Sequence, residues 1–127
     1  MSSEINMTCF WDGIRQQLQL QHVDNVTFIT TVQQYNTYSH TKDILWNGLS
    51  LSDRNRAENY YHIKYFDPKS INDGYHCSTC DPFLILIAVL FRKNIEHLYQ
   101  NTLITYTLGP TFPTIKFRSN HNHFMTV

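Results

Sequence analysis

The sequence has little charge, little cysteine and no long apolar run, and each shortage excludes a class of protein. Only 16% of the residues are charged, and ten basic side chains balance ten acidic ones. No basic field therefore exists to attract nucleic acid or an anionic membrane surface. The longest apolar run, FLILIAVLF at 83–91, is about half of a bilayer span. We expect a soluble protein without a targeting signal that binds neither nucleic acid nor membrane.

Three cysteines are too few, and odd in number, for a disulfide framework. We therefore expect a reducing compartment, the cytoplasm, and free thiols that are available for chemistry. At 127 residues the chain fits one domain, residues 1–127, with a real hydrophobic core. No motif in the sequence calls for a cofactor.

Apolar spacing predicts a first helix over about residues 9–19. Its apolar residues recur every four positions and so share one face: Phe10, Ile14 and Leu18. The next segment, NVTFITTV at 25–32, is rich in β-branched residues and indicates a short strand.

A second helix is predicted after Ser52, a favourable N-cap, and before Asp67-Pro68. Four of its side chains are expected to share a face: Ala57, Tyr60, Tyr61 and the Lys64 stem. The stretch SINDGYHCSTC at 70–80 has the composition of a loop.

The clearest helix follows that loop. Asp81 is a suitable cap, Pro82 suits the first turn, and Arg92 and Lys93 stand where the helix dipole favours cations. The interior is apolar on every side, so we expect this helix in the middle of the domain.

After residue 94 the pattern changes to period two. Four strands are predicted, NIEHLY, LITYTL, TIKFRS and HFMTV, with a tight turn at Gln100-Asn101 and further turns at Gly109-Pro110 and at 120–122. The order of elements predicts an α+β fold in which helices pack on a mostly antiparallel sheet formed by the C-terminal third.

Cys9 and His123 are the candidates for chemistry. A cysteine at a helix start faces unpaired N–H groups and the positive end of the dipole, which stabilise a thiolate. A nucleophilic thiol needs a proton acceptor, for which His is best suited. His123 opens the last strand behind a polar turn, whereas His97 lies within a strand, where we expect a surface position.

Three stretches resemble the ovarian tumour (OTU) family of papain-like cysteine proteases. NMTCFWDGIRQQL at 6–18 is similar to its nucleophile region, and SNHNHFMTV at 119–127 to its His-aromatic signature before the last strand. YHCSTCDPFLILIAVLFRKNIEHLY at 75–99 resembles the buried helix and following strand of the family. Residues 22–50 do not contribute to the resemblance.

The resemblance implies that Cys9 is the nucleophile and His123 the general base, with Phe124 as the aromatic residue that follows it. The family usually has an Asp three residues before the Cys, in a loop that helps to form the oxyanion hole, and this chain has Asn6 there. Asn6 is the favoured third member of the site, with Asn120 and Asn122 as alternatives for holding the imidazole ring.

The implied reaction is hydrolysis of an isopeptide bond of ubiquitin or a similar modifier, through a thioester. Tyr75, His76 and Trp11 are candidates for contacting this substrate, although turn chemistry explains the first two equally well and core packing is the alternative for Trp11. Trp46, outside the resemblance, either anchors a partner or packs a loop. Compact domains of this kind are frequent in viruses, so a viral protein acting in the host cytosol is an expectation.

Two other functions stay open. An OTU-like fold without catalysis would serve as a binding or structural module, an alternative favoured by Asn6 and by Met125 two positions after His123. Cys77 and Cys80, with the adjacent His76, supply half of a tetrahedral zinc site. The other half is missing as a motif, so we predict no metal.

Overall fold

The computed structural model describes residues 8–36, 40–73, 80–120 and 123–126 of the chain. Within these ranges the helices are α1 (Thr8–Gln17), α2 (Asn25–Gln34), α3 (Asp53–Lys64) and α4 (Cys80–Phe91). The strands are β1 (Leu45–Trp46), β2 (Leu49–Ser50), β3 (Asn94–Tyr99), β4 (Thr102–Thr107), β5 (Thr114–Asn120) and β6 (His123–Thr126). Two short 3₁₀ helices cover His40–Asp43 and Pro68–Asp73.

The strands form one sheet in the order β2-β1-β4-β3-β5-β6. Neighbouring strands are antiparallel except for β3 and β5, which run parallel. The expected α+β class with a mostly antiparallel sheet is therefore confirmed. The sheet also extends beyond the C-terminal third, because β1 and β2 add a hairpin to the edge of β4.

The connection from β4 to β5 crosses the end of β3 and is fastened by Asn94. The Asn94 amide donates to the carbonyl oxygens of Gly109 (2.8 Å) and Phe112 (3.0 Å), and its Oδ1 accepts from the N–H of Leu108 (2.7 Å). The Asn94 side chain thus supplies hydrogen bonds to backbone groups of the β4–β5 connection, which pairs with no strand among the described residues.

The core lies between the helices and one face of the sheet. Alternate strand residues face the helices and are buried, as the period-two pattern predicts: Ile95, His97, Tyr106, Ile115, Phe117 and Ser119. Helix α4 packs on β3 and β4, and its consecutive residues 83–88 are all buried. The expected central position of this helix is confirmed.

The ends of α4 differ in detail from the expectation. The helix begins at Cys80, so Asp81 lies inside the first turn instead of at the N-cap. At the other end Arg92 adopts a left-handed conformation (φ 56°), and the Lys93 N–H bonds to the Ala88 carbonyl (3.0 Å). The helix therefore ends in a Schellman motif in which Arg92, and not glycine, takes the left-handed position.

The segment NVTFITTV forms the helix α2, so its prediction as a strand is wrong. Asp24 caps the helix by accepting bonds from the N–H and the hydroxyl of Thr27, both at 2.8 Å. The Thr27 N–H bond, followed by the hydroxyl bond, holds the pKa of the Asp24 carboxyl below its ordinary value. Capping and the buried face of Phe28, Ile29 and Val32 outweigh the preference of β-branched residues for strands.

Helix α3 starts at the predicted N-cap, because the Ser52 hydroxyl accepts from the Asn55 N–H (3.0 Å). The predicted apolar face is wrong. Ile63 is the buried residue of α3, whereas Tyr61 is 49% exposed and stacks on the more exposed Tyr65. Tyr61 and Tyr65 therefore lie on the solvent side of the helix, and Tyr60 is half-buried.

The β1–β2 hairpin was not predicted. Asn47 and Gly48 both have positive φ, 53° and 81°, the conformation of a type I′ turn. The turn is tied to β4 by two bonds, from the Asn47 N–H to the Thr105 carbonyl (2.9 Å) and from the Thr105 N–H to Asn47 Oδ1 (3.0 Å).

Candidate active site

Cys9 is the second residue of α1 and lies in its first turn. The N–H groups of a first turn have no partner within the helix, so this is the place where a helix favours a thiolate. The predicted helix is confirmed, with bounds of Thr8–Gln17 in place of 9–19. Phe10, Trp11 and Ile14 are fully buried and anchor α1 in the core.

Trp11 is the centre of an aromatic cluster that joins α1 to the rest of the core. Its ring lies edge-on to Phe10 and to Phe83 of α4, both at 4.9 Å between centroids, and Phe28 of α2 is 6.1 Å away. Such edge-on contacts stabilise the core beyond the effect of the buried apolar area alone. The side chain is 0% exposed, so Trp11 takes the core role left open by the sequence and does not offer a surface to substrate.

The far end of α1 is held by Arg15. Its guanidinium donates to the carbonyl of Val23 (2.6 Å), the Asn25 amide oxygen (2.6 Å) and the Asp12 carboxylate (2.8 Å). The Arg15 side chain is 13% exposed, and its bonds to Val23 and Asn25 are partly buried, whereas Asp12 is 56% exposed. Arg15 therefore fixes the turn between α1 and α2 and with it the direction in which α1 points.

Helix α1 lies against β6, the strand that His123 opens. β6 pairs antiparallel with β5, with His123 opposite Asn120 and Phe124 opposite Ser119. The first helix and the last strand of the described chain, more than a hundred residues apart in sequence, are thus neighbours in space. The structure describes Cys9, His123 and Phe124 by their backbone alone.

The remaining predicted site residues, Asn6, Tyr75 and His76, lie outside the described residues, as do Asn122 and Cys77. Asn120 is described by its backbone, as the last residue of β5. Among the described residues, no group of three His, Cys, Asp or Glu side chains is placed to hold a metal ion.

A buried polar pair joins β3 to β5, the strand beside β6, and was not predicted. His97 Nε2 and Ser119 Oγ are 2.6 Å apart, and both residues are less than 5% exposed. The expected surface position of His97 is wrong. The sequence could have indicated this pair, because residues two apart in a strand lie on the same face of the sheet. His97 is two residues from Ile95 and Ser119 is two from Phe117, so both belong to the core face.

Within the described ranges, no helix has the length and apolar character needed to cross a membrane. No protein-family model, curated protein or solved structure matches the chain. The resemblance to the OTU family consequently stays a prediction that rests on the residues themselves.

Proposed function

We propose that the chain is an OTU-like cysteine hydrolase in which Cys9 is the nucleophile and His123 the general base. The observation that supports this most is the contact between α1 and β6. A nucleophile at a helix start and a base at the start of a neighbouring strand are both carried by regular, packed elements, which is what a precise dyad requires.

The chemistry follows from the two residue types. His123 takes the proton of the Cys9 thiol, and the thiolate attacks the carbonyl carbon of an amide. The N–H groups at the start of α1 are suited to stabilising the oxyanion that forms. His123 returns the proton to the leaving amine, which leaves a thioester, and water then releases the acid and the free thiol.

The proposed substrate is an isopeptide bond of ubiquitin or a ubiquitin-like protein, as the resemblance implies. Asn6 is the proposed partner that orients the imidazole, and Phe124, Tyr75 and His76 are proposed to contact the substrate. The proposed place of action is the cytoplasm, in keeping with the free thiols that the sequence predicts.

The test is adduct formation with ubiquitin that carries a C-terminal alkyne electrophile, measured by intact-protein mass spectrometry. We expect one adduct on the wild-type chain, none on Cys9→Ala or His123→Ala, and an undiminished adduct on the control Cys77→Ala.

A folded wild-type chain that labels with neither ubiquitin nor ubiquitin-like probes would contradict hydrolysis. Binding of unmodified ubiquitin in that case would support the alternative, an OTU-like module without catalysis. An adduct that survives in Cys9→Ala would contradict the assignment of the nucleophile.

A further inference from the structure

A concavity lies at the edge of the sheet opposite β6, between the β1–β2 hairpin, α3 and the first turns of α4. Its volume is about 250 Å³. The residues that line it come from these three elements and from the segment between β2 and α3: Trp46, Leu51, Asn55, Glu58, Asn59, His62, Pro82 and Ile85. We call this concavity the hairpin cleft. Trp46 and β6 are separated by four strand spacings, about 19 Å.

The two walls of the hairpin cleft have opposite character. One wall is apolar and consists of Trp46, Leu51, Pro82 and Ile85. The other is a stripe of α3 at positions i, i+3, i+4 and i+7, which lie on one helix face, and all four side chains are polar: Asn55, Glu58, Asn59 and His62.

The polar stripe lies beside the buried side of α3, at the mouth of the cleft. Asn55, Glu58 and His62 are exposed and Asn59 is half-buried, whereas Ile63 is the residue that α3 buries. The helix therefore follows the usual rule of apolar residues inward and polar residues toward water. An apolar wall beside accessible polar side chains makes the cleft complementary to a group with one flat face and one hydrogen-bonding edge.

The size and charge of the hairpin cleft limit the kinds of ligand that it can bind. Pockets for drug-sized molecules or cofactors start at about 300 Å³, so this volume suits a group of the size of one side chain. None of the described lining residues is lysine or arginine, and Glu58 supplies a carboxylate. Its partner Arg54 lies 3.5 Å away with both side chains largely exposed. Such a surface pair is weak, so a ligand cation can replace it.

We infer that the hairpin cleft binds a guanidinium group, presented by a small alkylguanidine or by an arginine side chain of a peptide. A planar guanidinium stacks on an indole ring such as that of Trp46 while its N–H groups reach a carboxylate such as that of Glu58. The side-chain amide oxygen of Asn59 offers a further acceptor along the same face, and Asn55 Oδ1, which accepts from the Ser52 hydroxyl (2.9 Å), keeps a second lone pair. An ammonium group has no such flat face and is expected to bind less well.

The test is NMR titration of the labelled full chain with acetyl-Gly-Arg-Gly-amide, in which the two indole N–H signals report separately. Trp46 lines the cleft and Trp11 is fully buried in the core, so we expect the Trp46 signal to shift and the Trp11 signal to stay. The matched ligand is the citrulline peptide, which has the same shape without the charge. It is expected to bind about tenfold more weakly.

The variant Glu58→Gln is expected to weaken binding of the arginine peptide about tenfold, because it removes the charge and keeps the shape. Glu96→Gln is the matched control, since the Glu96 side chain is also accessible to water (41%) and paired, with Lys116 at 3.8 Å, but lies on β3. We expect wild-type binding in this control.

Butylguanidine distinguishes the two sources of the group. Binding equal to that of the peptide assigns the cleft to a free small molecule, and markedly weaker binding assigns it to an arginine-containing peptide. Equal shifts with arginine and citrulline peptides, equal effects of Glu58→Gln and Glu96→Gln, or no shift of the Trp46 signal would each overturn the inference. None of these outcomes depends on Cys9.

Discussion

At the β6 edge of the sheet, α1 is anchored by the fully buried Phe10, Trp11 and Ile14, whereas at the hairpin edge accessible polar side chains of α3 and an apolar wall leave a concavity between them. The first edge is closely packed, and the second leaves space. A nucleophile needs a rigid carrier, because small errors of position weaken catalysis strongly. A binding cleft needs unfilled space and accessible acceptors. The two edges therefore suit two different tasks, and each can be disturbed without the other.

The largest effect on stability is expected at the β6 edge, from Arg15→Lys. Lysine keeps the charge but cannot reach the Asp12, Asn25 and Val23 oxygens at once. We expect a loss of about 2 kcal/mol in the free energy of unfolding, measured by urea denaturation. Arg54→Lys on exposed α3 is the control, and a comparable loss there would contradict the role of Arg15.

The same substitution also tests whether the two edges are independent. If Arg15 sets the direction of α1, Arg15→Lys slows adduct formation at Cys9 and leaves guanidinium binding at the hairpin cleft unchanged. Equal losses at both edges would show that the variant acts through global stability instead.

A smaller loss is expected from Ser119→Ala, about 1.5 kcal/mol, because it removes the hydroxyl that lies 2.6 Å from His97 Nε2 in the buried core face. Ser70→Ala removes an exposed hydroxyl bond to Asp67 and serves as the control. Since Ser119 lies opposite Phe124, amide hydrogen exchange should quicken in β6 more than in the β1–β2 hairpin. Uniform acceleration in both would contradict the prediction.

At the hairpin edge, Gly48→Ala is expected to cost about 1 kcal/mol. A Cβ at this position meets nothing within 4 Å, so the cost comes from the positive φ of 81° alone. The control is Gly109→Ala, where φ lies outside the left-handed region and the new Cβ makes an ordinary contact with Phe112 (3.7 Å). Thermal unfolding measures both, and a larger loss at Gly109 would contradict the assignment of strain.

The first helix and the four C-terminal strands could be predicted because their signals are local. The apolar spacing of α1 and the alternation in β3 and β5 reflect burial on one face. The β1–β2 hairpin was also within reach, since Asn47-Gly48 is a strong type I′ signal. Helix α2 was missed because the prediction rested on its β-branched residues alone and did not consider Asp24, a favourable N-cap residue that precedes them.

Other features could not be predicted because they join distant segments. The parallel pairing of β3 with β5 and the contact of α1 with β6 depend on topology, which strand patterns do not encode. The hairpin cleft combines Trp46 with Glu58 and Ile85, and each of these residues is unremarkable in its own segment.

The smallest effect is expected from Asp24→Asn and appears only as a change with pH. The pKa of Asp24 is lower in the folded state than in the unfolded state. Its ionised carboxylate therefore contributes fully to the free energy of unfolding above the unfolded pKa of about 3.9, and this contribution is lost as pH falls through the folded pKa. Asn still caps α2 but does not titrate. The stability difference between wild type and variant should therefore shrink below about pH 4, and a difference that stays constant down to acid pH would contradict this.

The most direct test of the dyad compares the thiols within one molecule. The initial rates at which chloroacetamide alkylates Cys9, Cys77 and Cys80 at neutral pH are measured by peptide mass spectrometry, in wild type and in His123→Ala. Cys80 also begins a helix, so the comparison with it isolates the effect of His123 from that of the helix start. If α1 and β6 bring Cys9 to its base, Cys9 reacts about tenfold faster than Cys77 and Cys80 in wild type and loses its advantage over Cys80 in the variant. Equal rates for the three thiols, or a fast Cys9 that does not respond to His123→Ala, would contradict the proposed active site.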